Sequence, residues 1–322
     1  MIFSCCLVWF VCFVVRPFTR AYRLVNQQKN LTTKHTNHTK QHEEEEPRDD
    51  TTRMLYETFQ PPPQLAPYVR FFWVLEADVS NGEEFVHRSM ADGCVEMVFH
   101  YLGEFDEIDT DGTSLWSPLS TIQAQSTNFR RFSTRASFGI FGAYLFPYAI
   151  PRLFAYPASD FTNISPDLAS VFGHEGRLFE EQMITAADNR SRVAIASRFL
   201  CDRLRSQKRD LPVLYRSIDT ILEFDGDIKI SELAREHGLS LRQFERKFKE
   251  FAGLNPKLYS RVARFQAATR HKLDGVRDLT EIAYACGYYD QSHFINDFRQ
   301  FSGYTPKEYF WTDAEGTQYM NA

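Results

Sequence analysis

The chain has 322 residues, 43% hydrophobic and 25% charged, with a net charge of −5 at pH 7. That is room for two domains of ordinary size, and the acidic balance excludes a chain that coats nucleic acid with uniform positive charge. The six cysteines form no CxxC pair and no Cys/His cluster, which argues against a disulfide framework, a zinc site or any other metal centre and fits a reducing setting.

The chain opens on MIFSCCLVWFVCFVV, apolar apart from Ser4, with Arg16, Arg20 and Arg23 behind it. The run is shorter than the roughly 20 apolar residues a spanning helix needs, and it lacks the basic start of a signal peptide. The low-complexity polar stretch that follows reads as disordered. Residues 1–53 are therefore expected to be an apolar segment and lead-in ahead of a true start at Met54, in a cytoplasmic protein. A membrane anchor through residues 1–15 is the alternative.

Residues 54–210 read as a β-rich sensor or dimerisation domain with a helical end. PPPQLAPY is a stiff, extended lead-in. VRFFWVLEA, EEFVHRS, CVEMVFHYL, STIQAQS and ASFGIFGAYLFPY follow, aromatic and β-branched, separated by turn signals such as NG and DG. Such spacing predicts a small antiparallel β-barrel or sandwich, cupin-like in outline. In SFGIFGAYL both faces are apolar, so that strand should be covered on both sides. His87 and His100 stand 13 residues apart with no H-x-H, the mark of isolated surface or satisfied histidines and not of a metal cupin. Trp73, Phe99, Phe141 and Tyr144 could line a ligand pocket or be plain core. SPDLASVFG, the stretch from Glu175 to Gln207, and PVLYRSIDTILEFDG have helical spacing, suited to packing within the chain, bridging domains or pairing two chains.

The last hundred residues repeat themselves. IKISELAREHGLSLRQFERKFKEFAGLNPKLY and DLTEIAYACGYYDQSHFINDFRQFSGYTPKEY align at an offset of 49, then 50. Gly238 matches Gly287, Ser240 matches Asp290, and Phe244, Phe248 and Phe251 match Phe294, Phe298 and Phe301. Gly253, Pro256 and Tyr259 match Gly303, Pro306 and Tyr309. Each copy reads as a short helix, a glycine turn, an N-cap residue and a second helix with one buried stripe. Ser240 with Gln243 has the spacing of a capping box. This is helix-turn-helix geometry, used twice.

The pattern G-(Y/F)-x-x-x-S-x-F-x-x-x-F-x-x-x-x-G-x-(T/S)-P-x-x-Y, present here as GYYDQSHFINDFRQFSGYTPKEY, resembles the double helix-turn-helix domain of the AraC/XylS family of bacterial transcription regulators. The resemblance covers about residues 213–312 and places the domain boundaries at 211 and 312, with a tail over 313–322. It implies an α+β protein: a cupin-like β domain with helices, then an all-α domain that binds double-stranded DNA. RNA polymerase, a second copy of the chain and an unidentified small-molecule effector are the further partners it allows. No cofactor or catalytic residue is implied. A β-barrel enzyme or DNA-repair protein with the same tail is the alternative, although Cys94 has no companion for a zinc-activated thiol.

From Ser240 to Lys272 there are nine basic and two acidic residues, +7; from Leu273 to Phe310, three and six, −3. The first unit should carry the phosphate attraction. The family's base-reading positions fall on Arg242, Glu245 and Arg246 in the first unit. The corresponding surface of the second is Gln291, Ser292, His293 and Asn296. Arg suits guanine, Gln and Asn suit adenine, and Glu can accept from cytosine. Lys249, Lys257, Arg261, Arg264 and Arg299 are the expected phosphate contacts.

Overall fold

The computed structural model describes residues 54–79, 84–109, 111–207, 213–270 and 278–312; the apolar lead-in 1–53 and the tail 313–322 lie outside the described residues. Among the described residues nine strands come first: β1 (Met54–Phe59), β2 (Val69–Ala77), β3 (Phe85–Ser89), β4 (Val95–Leu102), β5 (Asp106–Ile108), β6 (Ser114–Trp116), β7 (Ser120–Gln123), β8 (Arg130–Thr134) and β9 (Phe138–Leu145). They form two antiparallel sheets, ordered β1-β2-β9-β4-β7 and β3-β8-β5-β6. The expected antiparallel β domain is there, as two facing sheets and not a closed barrel.

β9 sits at the middle of the larger sheet and is buried along its whole length. The period of two explains why. Phe141, Ala143 and Leu145 point to one core, against helices; Phe138 and Ile140 point to another, against the smaller sheet. The helical cover is α1 (Leu168–Phe172), α2 (His174–Thr185) and α3 (Asn189–Ser206). Phe179 stacks on Phe199 at 4.0 Å between ring centroids and meets Phe99 edge-on at 5.0 Å, tying both longer helices to β4. Arg192, buried on α3, donates to the Met183 and Ala186 carbonyls at the end of α2 and lies 3.6 Å from the Tyr101 ring centroid. It satisfies carbonyls that the helix end would otherwise leave without partners.

Two local expectations change. PPPQLAPY is not extended: it folds into successive turns, with Leu65 fully buried and its N–H donating to the Pro62 carbonyl at 2.9 Å. β5, β6 and β8 carry no alternating apolar signal and are held by backbone pairing, as between Glu107 and Phe132.

The C-terminal half is helical: α4 (Arg216–Glu223), α5 (Ile230–Glu236), α6 (Leu241–Ala252), α7 (Pro256–Arg270), α8 (Leu279–Ala285), α9 (Gln291–Ser302) and α10 (Pro306–Trp311). The Phe triplets of α6 and α9 are all buried in one cluster with Phe265 of α7. Ile218 and Ile221 of α4 join that cluster, so the stripe on α4 packs within the chain. α7 lies between the two repeats, and Phe265 meets Phe298 edge-on at 5.1 Å.

Candidate nucleic-acid interface

Each repeat builds its exposed second helix from the same local chemistry. Ser240 caps α6: its hydroxyl accepts from the Gln243 N–H, and the Gln243 side chain accepts from the Ser240 N–H at 3.0 Å. Asp290 caps α9, accepting from the His293 N–H at 2.8 Å, a bond that holds its carboxyl below the usual carboxylate range. Phe244, Phe248 and Phe251 then fix which side of α6 faces inward, and Phe294, Phe298 and Phe301 do so for α9.

What remains outward is the predicted surface. Arg242, Glu245, Arg246 and Lys249 are exposed on α6, and neither arginine forms a salt bridge among the described residues. Gln291, Ser292, His293, Asn296 and Arg299 are exposed on α9, and Lys257 is exposed at the start of α7. His293 leans back on its cap, with Nδ1 3.0 Å from Asp290 Oδ2.

Two of the predicted phosphate contacts, both half-buried, are engaged by residues of the second repeat. Arg261 forms an ion pair with Asp297 at 2.7 Å and also donates to the Gln300 side chain at 3.0 Å. Arg264 packs over Tyr288, 5.5 Å from the ring centroid, with its guanidinium turned to the Gly287 carbonyl. Both reach from α7 to the second repeat, so they brace one unit against the other. Tyr289, 88% exposed beside the α9 cap, is a surface aromatic that charge counting passed over.

The β-rich half grips this arrangement from behind. Arg88 of β3 donates to the Ser302 carbonyl at 3.3 Å and lies 4.0 Å from the Tyr304 ring centroid and 4.8 Å from that of Phe129. The Ala91 N–H donates to the Phe301 carbonyl at 3.0 Å. Gln300 donates to the Thr127 carbonyl at 3.0 Å, and Thr162 to that of Gly253 at 2.8 Å. None of these partnerships has a local sequence signal, since each joins residues more than 90 positions apart.

With two capped, solvent-facing second helices on one core, the C-terminal half is a double helix-turn-helix domain. Residues 233–311 match the family model described as "Helix-turn-helix domain". This region is a helix-turn-helix domain of the AraC type. Residues 57–167 match the model of a domain of unknown function, DUF6597. Among curated proteins, the chain is 31% identical over 85 residues to the HTH-type transcriptional activator RhaS of Escherichia coli, covering 26% of this chain and 31% of that protein. It is 37% identical over 79 residues to RhaS of Escherichia fergusonii, covering 24% and 27%. The match thus spans about a third of the length of these relatives. Among solved structures, ToxT from Vibrio cholerae aligns at a TM-score of 0.40 and 13% identity, over 71% of this chain and 96% of ToxT.

Proposed function

We propose that the chain is a sequence-specific DNA-binding regulator of transcription that reads two neighbouring segments of the major groove. One observation carries the reading: two helices with equivalent side-chain caps, turns and Phe stripes expose polar faces, and α6 exposes two arginines that have no salt-bridge partner among the described residues. Arg242, Glu245 and Arg246 read bases from α6; Gln291, Ser292, His293 and Asn296 do so from α9. Lys249, Lys257 and Arg299 hold phosphates, while Arg261 and Arg264 keep the two helices in register. The Tyr289 hydroxyl adds a phosphate donor beside α9.

Activation, the role in the names of the RhaS relatives, is the direction we assign, with RNA polymerase and a second copy of the chain as partners in a cytoplasmic setting. The reading contains no catalytic step. Cys94, the thiol that a repair alternative would use, is buried, and burial pushes it up to about 12, so it stays protonated.

Selection of bound sequences from a random double-stranded library with the full chain tests this. The expected product is a two-part, asymmetric motif whose halves lie about one helical turn, about 34 Å, apart. Absence of enrichment at moderate salt would overturn it.

A further inference from the structure

Between the two sheets lies a cavity of about 110 Å³. A water needs about 10–15 Å³ of such space, so the cavity would take a ligand on the order of ten non-hydrogen atoms. Its walls are apolar: Leu75, Val98 and Ile140 from the larger sheet, Phe132 from the smaller one, and Phe105 between them. Tyr56 stacks on Trp73 at one side, ring centroids 6.4 Å apart. The Trp73 indole lies against Gly142 of β9, where any Cβ would collide with it. Of the four aromatics the sequence offered as pocket lining, Trp73 alone lines this cavity; Phe99 and Phe141 face the helices instead.

Two carboxyl groups reach into this box. Asp92 is provided for: the Tyr144 hydroxyl donates to it at 2.6 Å and the Cys94 N–H at 2.9 Å. Glu96 is not. Its Oε1 has no hydrogen-bond partner, and neither have Trp73 Nε1 and His100 Nδ1. The Trp73 N–H is near enough to favour the Glu96 carboxylate, but not at hydrogen-bonding geometry. Glu96 lies deep in the protein yet keeps accessible surface, and that surface is the cavity's own. The titratable groups around it are Tyr56 on β1, His87 and Arg88 on β3, His100 on β4, and Asp92. Burial lowers both histidines to about 4, so they are neutral at pH 7. Arg88 turns its guanidinium to Ser302 and Tyr304. Burial, reinforced by the charge of Asp92, pushes Glu96 up to about 8. The histidines are therefore neither solvated nor isolated: they share this chamber with two acids. Among the described residues no group of three or more His, Cys, Asp or Glu is arranged to hold a metal ion.

An unpaired carboxyl in an apolar chamber is costly, and a cation placed on it removes that cost. We propose that the cavity binds a small organic ammonium ion, a primary amine on an apolar or aromatic body, whose N–H groups donate to Glu96 while its charge lies against the Tyr56–Trp73 ring pair. The apolar body fills the space between Val98, Phe132 and Ile140. Gln266 and Thr269 of α7, the helix between the two repeats, also line the chamber, and Gln266 donates to the Ala91 carbonyl at 2.6 Å. That occupancy reaches DNA reading rests on the function proposed above; the binding itself does not.

Calorimetric titration of the full chain with 2-phenylethylamine, cyclohexylmethylamine and hexylamine at pH 7, in buffers of different ionisation heat, tests the site. Saturable binding of at least one amine is expected, with release of about one proton per amine as Glu96 ionises. Its neutral isostere, such as 2-phenylethanol for 2-phenylethylamine, should bind about tenfold or more weakly, and Glu96→Gln should weaken the amine by a similar factor. Glu96→Gln keeps the size and neutrality of the protonated acid, and Trp73→Phe provides a second variant that should weaken the amine. No binding by any of the three amines at millimolar concentration would overturn the proposal. So would an alcohol bound as tightly as the amine, or affinity unchanged in both variants. Amine binding without DNA enrichment would leave the site standing and overturn only the DNA reading.

Discussion

Gly253 and Gly303 end α6 and α9 at equivalent places in the two repeats, and both are pressed against the β-rich half. Their φ values are +79° and +78°. A methyl group on Gly253 would strike the Gln125 side chain, and one on Gly303 would strike Arg88 and the Phe129 ring. The β-rich half therefore holds both units at the same turn, the one just behind each exposed helix. Their mutual orientation is set from outside the repeat as well as by α7.

Gly303→Ala is expected to destabilise more than Gly238→Ala. At Gly238 φ is +64° and no atom stands near a new Cβ, so only backbone strain of about 1–2 kcal/mol applies. At Gly303 the same strain adds to displacement of Arg88 from Ser302 and Tyr304. Urea unfolding of the two variants measures the difference; equal losses would mean that the docking contributes nothing.

Arg246→Ala should cost about 1–3 kcal/mol in DNA affinity and relax the preference at one position of the selected site. Lys249→Ala should weaken all sequences alike and reduce the slope of log affinity against log salt by about 1. Competition binding at several salt concentrations separates the two. An Arg246→Ala protein with unchanged affinity and preference would remove that residue from base reading.

Arg261 and Asp297 should couple. Asp297 is only 8% exposed at its side chain, so removing its partner leaves a carboxylate largely stripped of both water and counter-charge. A double-mutant cycle of Arg261→Ala and Asp297→Ala should give a coupling of about 1–3 kcal/mol in unfolding free energy. Additive losses would show that the pair does not brace the units.

Stability should peak near the ordinary histidine range. The folded pKa of His87 and of His100 is lowered from 6.5 to about 4, so the unfolded chain binds more protons between these values and stability rises with pH across that window. Glu96 is raised from 4.5 to about 8, so the folded chain binds more protons there and stability falls as pH rises. Asp92, raised by burial, acts in the same sense. Above about 6.5 the histidines are neutral in both states, so the acids alone set the slope and stability falls toward about 8 as Glu96 ionises. Melting temperatures from pH 4 to 9 should show the peak, and Glu96→Gln should flatten its alkaline side. A difference between variant and parent that does not change with pH would contradict the assignment.

The amino-acid sequence by itself determined the repeat, its turns and the faces of its helices. These depend on neighbours within a few positions: Ser240 reaches Gln243, Asp290 reaches His293, and a Phe every third or fourth residue selects one side. β2, β4 and β9 were legible for the same reason, as strongly apolar runs. Strands β5, β6 and β8 were not, because their signal is a partner strand and not a side-chain pattern. Tertiary structure alone decided that Arg261 and Arg264 turn to the second repeat, that Arg88 holds that repeat, and that His87, His100 and Glu96 meet in one chamber. Charge at a position says what a side chain can do. Which partner lies within about 3 Å is set by packing between elements far apart in the chain, and that decides whether the charge faces water, an opposite charge or an unfilled cavity.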